Sequence, residues 1–279
     1  MRTIDDARIA STALTRFRSE YDYAWWEYLR SAKLIAALER AGVTLSGRAL
    51  DAGCGSGGTA LSLAEETRFA VGLDLDARFS GSGTHLLAER EIRNAAFVQG
   101  NGLALPFRDG SFDLVLSHSV IEHVASAETY LIECRRVLRP GGLLYLSTAP
   151  WLSLAGAHLP RLRLPLPIHI VLGRRAAFRI FCWLGKNAPW TLQEPKEANT
   201  FIALAAQGKD KRDDLLQKVT LGRLQAWIEA AGFRRLHEER QVTGFFRRAL
   251  PERLRRLLLR TPGARDLMVG QIQCVLVKP

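Results

Sequence analysis

The chain has 279 residues, 47% of them apolar, enough for one large domain or one domain with a sizeable insertion. Its 39 basic side chains outnumber 28 acidic ones, leaving a net charge of +11. The four cysteines, Cys54, Cys134, Cys182 and Cys274, form no C-x-x-C pair, which argues against a zinc site or a disulfide framework and suits a reducing compartment. The segment Met1-Arg-Thr-Ile-Asp-Asp6 lacks the basic and apolar regions of a signal peptide, so a cytoplasmic location is expected.

Residues 1–47 read as a helical cap, with Tyr21, Tyr23, Trp25, Trp26 and Tyr28 crowded ahead of Leu34, Ile35 and Leu38. Strand and helix patterns then alternate at 48–53, 57–66, 69–75, 84–93, 95–99, 112–118, 126–138 and 142–149. That alternation predicts an α/β domain over 48–279, built on a parallel sheet with helices on both faces. Pro140 to Pro160 carries no charged side chain, but Pro140-Gly-Gly, Ser147, Thr148 and Pro150 argue against a spanning helix. A long irregular insertion is expected at about 150–219. A helix at 221–231, a strand near 233–242, a second insertion at 244–267 and a last strand, Gln271 to Val277, complete the chain.

The most informative segment is Arg48-Ala-Leu-Asp-Ala-Gly-Cys-Gly-Ser-Gly-Gly58, an apolar strand running into a glycine-rich turn. Glycines there permit positive φ and close approach of a ligand. The spacing is G-x-G-x-G, not the G-x-G-x-x-G of a dinucleotide site. Asp51 beside the loop would repel a pyrophosphate and favour a cationic ligand bearing an amino group and a sulfonium. A second apolar strand, Phe69-Ala-Val-Gly-Leu-Asp-Leu-Asp76, ends in carboxylates that can accept both hydroxyls of a ribose.

These are followed by Phe97-Val-Gln-Gly100, Leu105-Pro-Phe-Arg-Asp-Gly-Ser-Phe-Asp-Leu-Val115, Ile121-Glu-His-Val124 and Arg136-Val-Leu-Arg-Pro-Gly-Gly142. In order and separation the series resembles the class I S-adenosylmethionine-dependent methyltransferases, in the branch called the type 11 methyltransferase domain, over about residues 45–150. The resemblance implies a Rossmann-like, doubly wound, seven-stranded sheet whose antiparallel last strand lies beside the fifth. It implies S-adenosylmethionine as cofactor, with Asp51, Gly53, Gly55 and Gly57 at its methionine part and Asp74 at its ribose. Where the family usually has Gly-Asp at the adenine, this chain has Gly100-Asn101-Gly102, and Asn101 can still accept through its side-chain oxygen. Ser117, near the end of the fourth strand, joins this cofactor set. Tyr21, Trp25 and Tyr28 fall on one helical face and fit either a lid over the cofactor or ordinary core contacts against the sheet; Trp25 and Trp26 are expected to pack on the core, and a tyrosine to serve in the lid.

Substrate should bind beyond the strand C-termini, between the two insertions. From Cys134 to Gln193 there is no Asp or Glu, while Arg161, Arg163, Arg174, Arg175, Arg179 and Lys186 punctuate apolar stretches. The segment 245–260 carries Leu254, Leu257 and Leu258 at helical spacing with arginines between them, an amphipathic basic pattern. Both insertions read either as solvated basic surface or as a surface for an anionic membrane or a phosphate-bearing substrate. A peripheral position at the inner face of the membrane goes with the latter. Nucleic acid is disfavoured, because the basic residues are interleaved with Leu, Ile and Pro and no RNA-binding module is appended.

Pro150-Trp-Leu-Ser-Leu-Ala-Gly-Ala-His158 and Pro165-Leu-Pro-Ile-His169 are similar to a subgroup of these methyltransferases associated with bacterial cell-surface glycan synthesis. That resemblance implies O-methylation of a saccharide or lipid-linked acceptor. A small-molecule methyltransferase of secondary metabolism or quinone synthesis is the alternative, and a non-catalytic cofactor-binding partner protein is a third reading. If the acceptor is a hydroxyl, a histidine suits its deprotonation at neutral pH. His158 is the first candidate and His123 the second, with His169 and Tyr21 as substrate contacts. No metal is expected.

Overall fold

The computed structural model describes residues 4–16, 18–153, 168–192 and 217–279. The N-terminal cap is two helices, α1 (Asp6–Thr15) and α2 (Glu20–Arg40), started by Asp5 and Ser19, whose side chains accept from the amides of Arg8 and Asp22. On α2 the buried residues Ala24, Tyr28, Ser31, Ala32 and Ile35 recur three or four apart, a single stripe turned inward. The alternating region gives β1 (Arg48–Ala52), α3 (Gly58–Ala64), β2 (Phe69–Asp74), α4 (Gly83–Glu89), β3 (Ala95–Gln99), β4 (Phe112–His118), α5 (Ala127–Val137) and β5 (Leu138–Thr148). It is followed by α6 (Ile168–Leu172), α7 (Arg174–Asn187), α8 (Leu221–Ala230), β6 (Arg234–Val242), α9 (Gly244–Ala249), α10 (Glu252–Leu258), α11 (Ala264–Met268) and β7 (Val269–Val277).

The seven strands form one sheet in the order β3-β2-β1-β4-β5-β7-β6. β7 runs antiparallel beside β5, pairing Leu143 with Val277 through Thr148 with Ile272, as the family resemblance implies. Successive side chains on a strand face opposite ways, and the core divides accordingly. Leu50, Val71, Leu73, Val115, Leu144 and Leu146 pack with α5 and α8 on one face. Ala49, Ala70, Leu114, Leu116 and Tyr145 pack with α2, α3 and α4 on the other.

Two expectations need correction. β5 begins at Leu138, earlier than the expected 142, because Leu138 already pairs with Phe112 of β4, with a register irregularity before Leu114. The described part of the first insertion is helical where an irregular segment was expected. On α7, Ala177, Phe181 and Leu184 fall four and three apart and close on Leu192 and Ile168 as a small cluster of their own. The arginines between them break up the apolar stripe when it is read along the sequence. Among the described residues no helix is long and apolar enough to cross a membrane.

One glycine decides how the cap sits. A Cβ on Gly58 would lie 2.0 Å from the Ala24 carbonyl oxygen and 2.8 Å from the Glu27 Cβ, so α2 can cross the start of α3 only where no side chain intervenes. This brings α2 against the ends of β1 and β2.

Candidate active site

β1 and β4 are neighbours although β2 and β3 lie between them in sequence. The chain reverses its direction of travel across the sheet there, and such a reversal leaves a crevice at the strand C-termini. The loop 53–57 occupies it. Gly53, Gly55 and Gly57 have φ of +95°, +54° and +91°, and a Cβ on Gly53 would meet Val120, beyond β4, at 2.4 Å. The amides of Gly53 and Cys54 donate to the Leu73 carbonyl at 2.7 and 2.9 Å. Asp74 ties the first two strand ends together: its Oδ2 accepts from the Gly55 amide at 2.8 Å and its Oδ1 from the Asp76 amide at 3.0 Å. Each carboxylate oxygen keeps a further lone pair for a ligand.

Three acids converge on this loop. Asp51 is buried within β1, and its Oδ2 has no hydrogen-bond partner among the described residues. Burial, followed by the charges of Glu27 and Asp74, pushes its carboxyl well above the usual range, against the pull of Arg30 and the Ala60 amide. Glu27 arrives from α2, and its Oε2 is likewise enclosed without a partner. Burial raises the Glu27 carboxyl to about 7; Arg30 and Arg78 oppose the shift, while Glu20 and Asp74 add to it. One turn earlier on α2, burial and Glu27 push the Tyr23 phenol up to about 12. Enclosed acids with unfilled acceptor oxygens are stable as anions only with a cation to pair with. The glycines supply the room for it.

Residues 50–146 match the family described as "Methyltransferase domain". An uncharacterized methyltransferase of Mycolicibacterium vanbaalenii is 39% identical over 138 residues, 50% of this chain and 49% of that protein. A protein of Mycolicibacterium smegmatis named as a probable S-adenosylmethionine-dependent methyltransferase is 38% identical over 99 residues, 36% of this chain and 37% of its own length. Residues 50–146 are a class I methyltransferase domain.

The chain spans about half the length of the first of these relatives. The fold is also that of a solved S-adenosylmethionine-dependent methyltransferase from Mesorhizobium loti, with a TM-score of 0.54 at 18% identity, over 87% of this chain and 96% of that one. The cofactor of such domains is S-adenosylmethionine, and the residues present fit it. Its ammonium or sulfonium would satisfy the unpartnered Asp51 and Glu27 oxygens, and its ribose hydroxyls would suit the remaining lone pairs of Asp74.

Of the residues expected at the site of the methyltransferase domain, Asp51, Gly53, Gly55, Gly57 and Asp74 come together as described. Asn101 lies just past β3, exposed, but its Oδ1 accepts from the Leu103 amide at 2.9 Å. The sequence reading gave that oxygen to adenine; here it first closes its own turn, as Asn side chains do. A Cβ on Gly102 would lie 3.1 Å from the Tyr130 ring. Ser117 is fully buried and its hydroxyl is bonded to the Tyr130 hydroxyl at 2.9 Å, so its side chain belongs to the support beneath the loop.

The substrate-side residues are scattered. The Tyr21 hydroxyl donates to Glu89 and its ring lies 4.9 Å from that of His85, which holds it against α4. Trp25 stacks on Tyr28 in the core, as expected, with ring centroids 5.4 Å apart. His169 is buried, 2.9 Å from the Trp151 carbonyl through Nε2 and edge-on to the Trp151 ring, so it ties α6 to the end of β5 where a substrate contact was expected. His123 follows β4, its amide donating to the Val120 carbonyl at 2.8 Å. His158 lies outside the described residues. Sequence reasoning missed Glu27 and Arg30. The signal was there, since Glu20, Tyr23, Glu27 and Arg30 fall on one helical face, but the surrounding aromatics masked it.

Proposed function

We propose that the protein transfers the methyl group of S-adenosylmethionine to an oxygen of a saccharide or lipid-linked acceptor. The observation that carries this reading is the grouping of Asp51, Glu27 and Asp74 around the glycine loop at the strand C-termini, with an acid-free basic stretch (134–193) and the arginine-rich segment 244–260 in the parts of the chain that leave the same edge of the sheet. In this reading Asp51, Glu27 and the glycines hold the methionine part, Asp74 holds the ribose hydroxyls, and Asn101 and Gly102 border the adenine. Arg30 and Arg78 oppose the protonation of Glu27 that burial favours, and Arg30 does the same at Asp51.

When bound, the cofactor supplies a methyl group on a positively charged sulfur. The chain's own task is to place the acceptor in line with that group, which provides much of the rate. As the new carbon–oxygen bond forms, the acceptor hydroxyl loses its proton to a base, for which His158 and then His123 are proposed. The arginine-rich, acid-free stretch 134–193 suits an acceptor carrying phosphate.

The test is transfer of radiolabelled methyl from S-adenosylmethionine into fractionated extract of the source cell. Label in the organic-extractable or glycan fraction, lost with Asp74→Ala, is expected. Label confined to small aqueous metabolites would overturn the acceptor class and point to a pocket enzyme. No transfer to any fraction would leave a cofactor-binding partner protein.

A further inference from the structure

β7 begins and β6 ends at the edge of the sheet where the parallel strands have their C-termini, so the segment joining them projects from the same edge as the cofactor loop. Its base is closed by the Thr243 amide donating to the Met268 carbonyl at 2.9 Å. The projecting part is α9 and α10, neither of which buries a single residue. Phe245, Leu254 and Leu257 are 42%, 42% and 61% exposed. On α10 Leu254 and Leu257 stand one turn apart, with arginines on both flanks of the stripe, and Glu252 is bonded to Arg256. Between 244 and 260 there are six arginines and this one acid.

From this surface we infer that α9 and α10 seat the protein on an anionic lipid bilayer. Phe245, Leu254 and Leu257 enter the headgroup layer while the arginines beside them meet lipid phosphates. A short basic helix with an exposed apolar stripe gains from both contacts at once, and neither suffices alone. Phosphate on a nucleic acid would satisfy the arginines equally, but branched aliphatic side chains cannot stack on bases, and two of the three exposed apolar groups are leucines. Seated this way, the strand ends that carry the cofactor loop face the membrane, where a lipid-linked acceptor resides.

The experiment is flotation of the intact protein with vesicles of phosphatidylcholine, with and without phosphatidylglycerol, at low and high salt. Binding is expected only to the anionic vesicles, weakening as salt rises. Leu254→Ser with Leu257→Ser should weaken it about ten-fold or more while thermal unfolding stays put, since both positions are exposed. In Phe245→Trp, tryptophan emission should shift to the blue on anionic vesicles alone. Absence of binding to anionic vesicles, or binding that survives the loss of both leucines, overturns the inference. So does RNA binding that is tighter than vesicle binding and indifferent to the leucines. No acceptor is used, so failure here is separate from failure of the proposed acceptor class: aqueous label with intact flotation would overturn only the latter.

Discussion

Glu27 offers the sharpest test of the acidic site. A carboxyl held at about 7 in the free protein must lose its proton to pair with a cation, so cofactor affinity should rise with pH up to that value. Below it, each pH unit is worth a factor of about ten; between about pH 6 and pH 8 the dissociation constant should fall roughly ten-fold. Asp51, pushed up by the same burial and by Glu27 itself, titrates together with it as a coupled pair. The charges facing this pair are Arg30 and Glu20 from α2, Arg78 after β2, and Asp74 at its end.

Glu27→Gln removes the titration while keeping the shape. The raised carboxyl is a cost to the folded state that is absent below its unfolded value of about 4.5 and grows as pH rises towards 7, reaching on the order of 3 kcal/mol. The variant should therefore melt at a higher temperature than the parent at about pH 8, yet bind S-adenosylmethionine more weakly, by about ten-fold or more, with a flattened pH profile. Calorimetric titration in buffers of different ionisation enthalpy would read the released proton directly. If the parent's affinity is flat over this range and Glu27→Gln binds as well as the parent, Glu27 is a buried acid with no part in the site.

Asp74→Ala strips the acceptor from the Gly55 amide of the loop, 2.8 Å away, and from the Asp76 amide, 3.0 Å away, and should cut cofactor affinity by about 2 kcal/mol or more, read by the same titration. Gly57→Ala forces a Cβ to within 2.7 Å of the Phe97 ring at a φ of +91°, and should cost roughly 2–4 kcal/mol in urea unfolding. In Tyr130→Phe, the Ser117 hydroxyl and the Ala52 carbonyl lose their partner beneath the loop, for about 1–2 kcal/mol. Burial holds the His169 imidazole below its ordinary value, so its share of stability is present above about pH 6.5 and fades as pH falls, when the unfolded chain takes up the proton first. Acidification should loosen α6, seen as lost hydrogen-exchange protection, and His169→Gln should remove that dependence.

Most of the sheet was legible in the sequence because β1, β2, β4, β5 and β7 carry apolar runs, and because Asp51, the glycines and Asp74 sit at fixed places relative to the first two. What stayed hidden depends on contacts between segments far apart in the chain. Glu27 reads as one charge among aromatics until Gly58 lets α2 close on β1. Nothing in the sequence around Tyr21 foretells its contacts with Glu89 and His85 of α4. The helix α7 was missed for a different reason, since its stripe packs on a small local cluster and its arginines obscured the period.

The two charge patterns of the chain answer each other. A protein of net charge +11 is a poor place to collect a cationic cofactor unless the local field is reversed, and Asp51, Glu27 and Asp74 reverse it within the crevice between β1 and β4. Salt screens the exposed arginines of the rim far more than the enclosed acids, so the two should respond differently to ionic strength. The order of events follows from the sign of each. On the proposed reading, the rim would draw an anionic acceptor or surface to the strand ends, and the acids would hold the cation there. A variant that neutralises Arg253 and Arg260 should then raise KM for a phosphate-bearing acceptor and leave cofactor affinity unchanged, whereas Glu27→Gln should do the reverse. If both variants alter both constants alike, the two patterns are one field, and the division of labour between them is wrong.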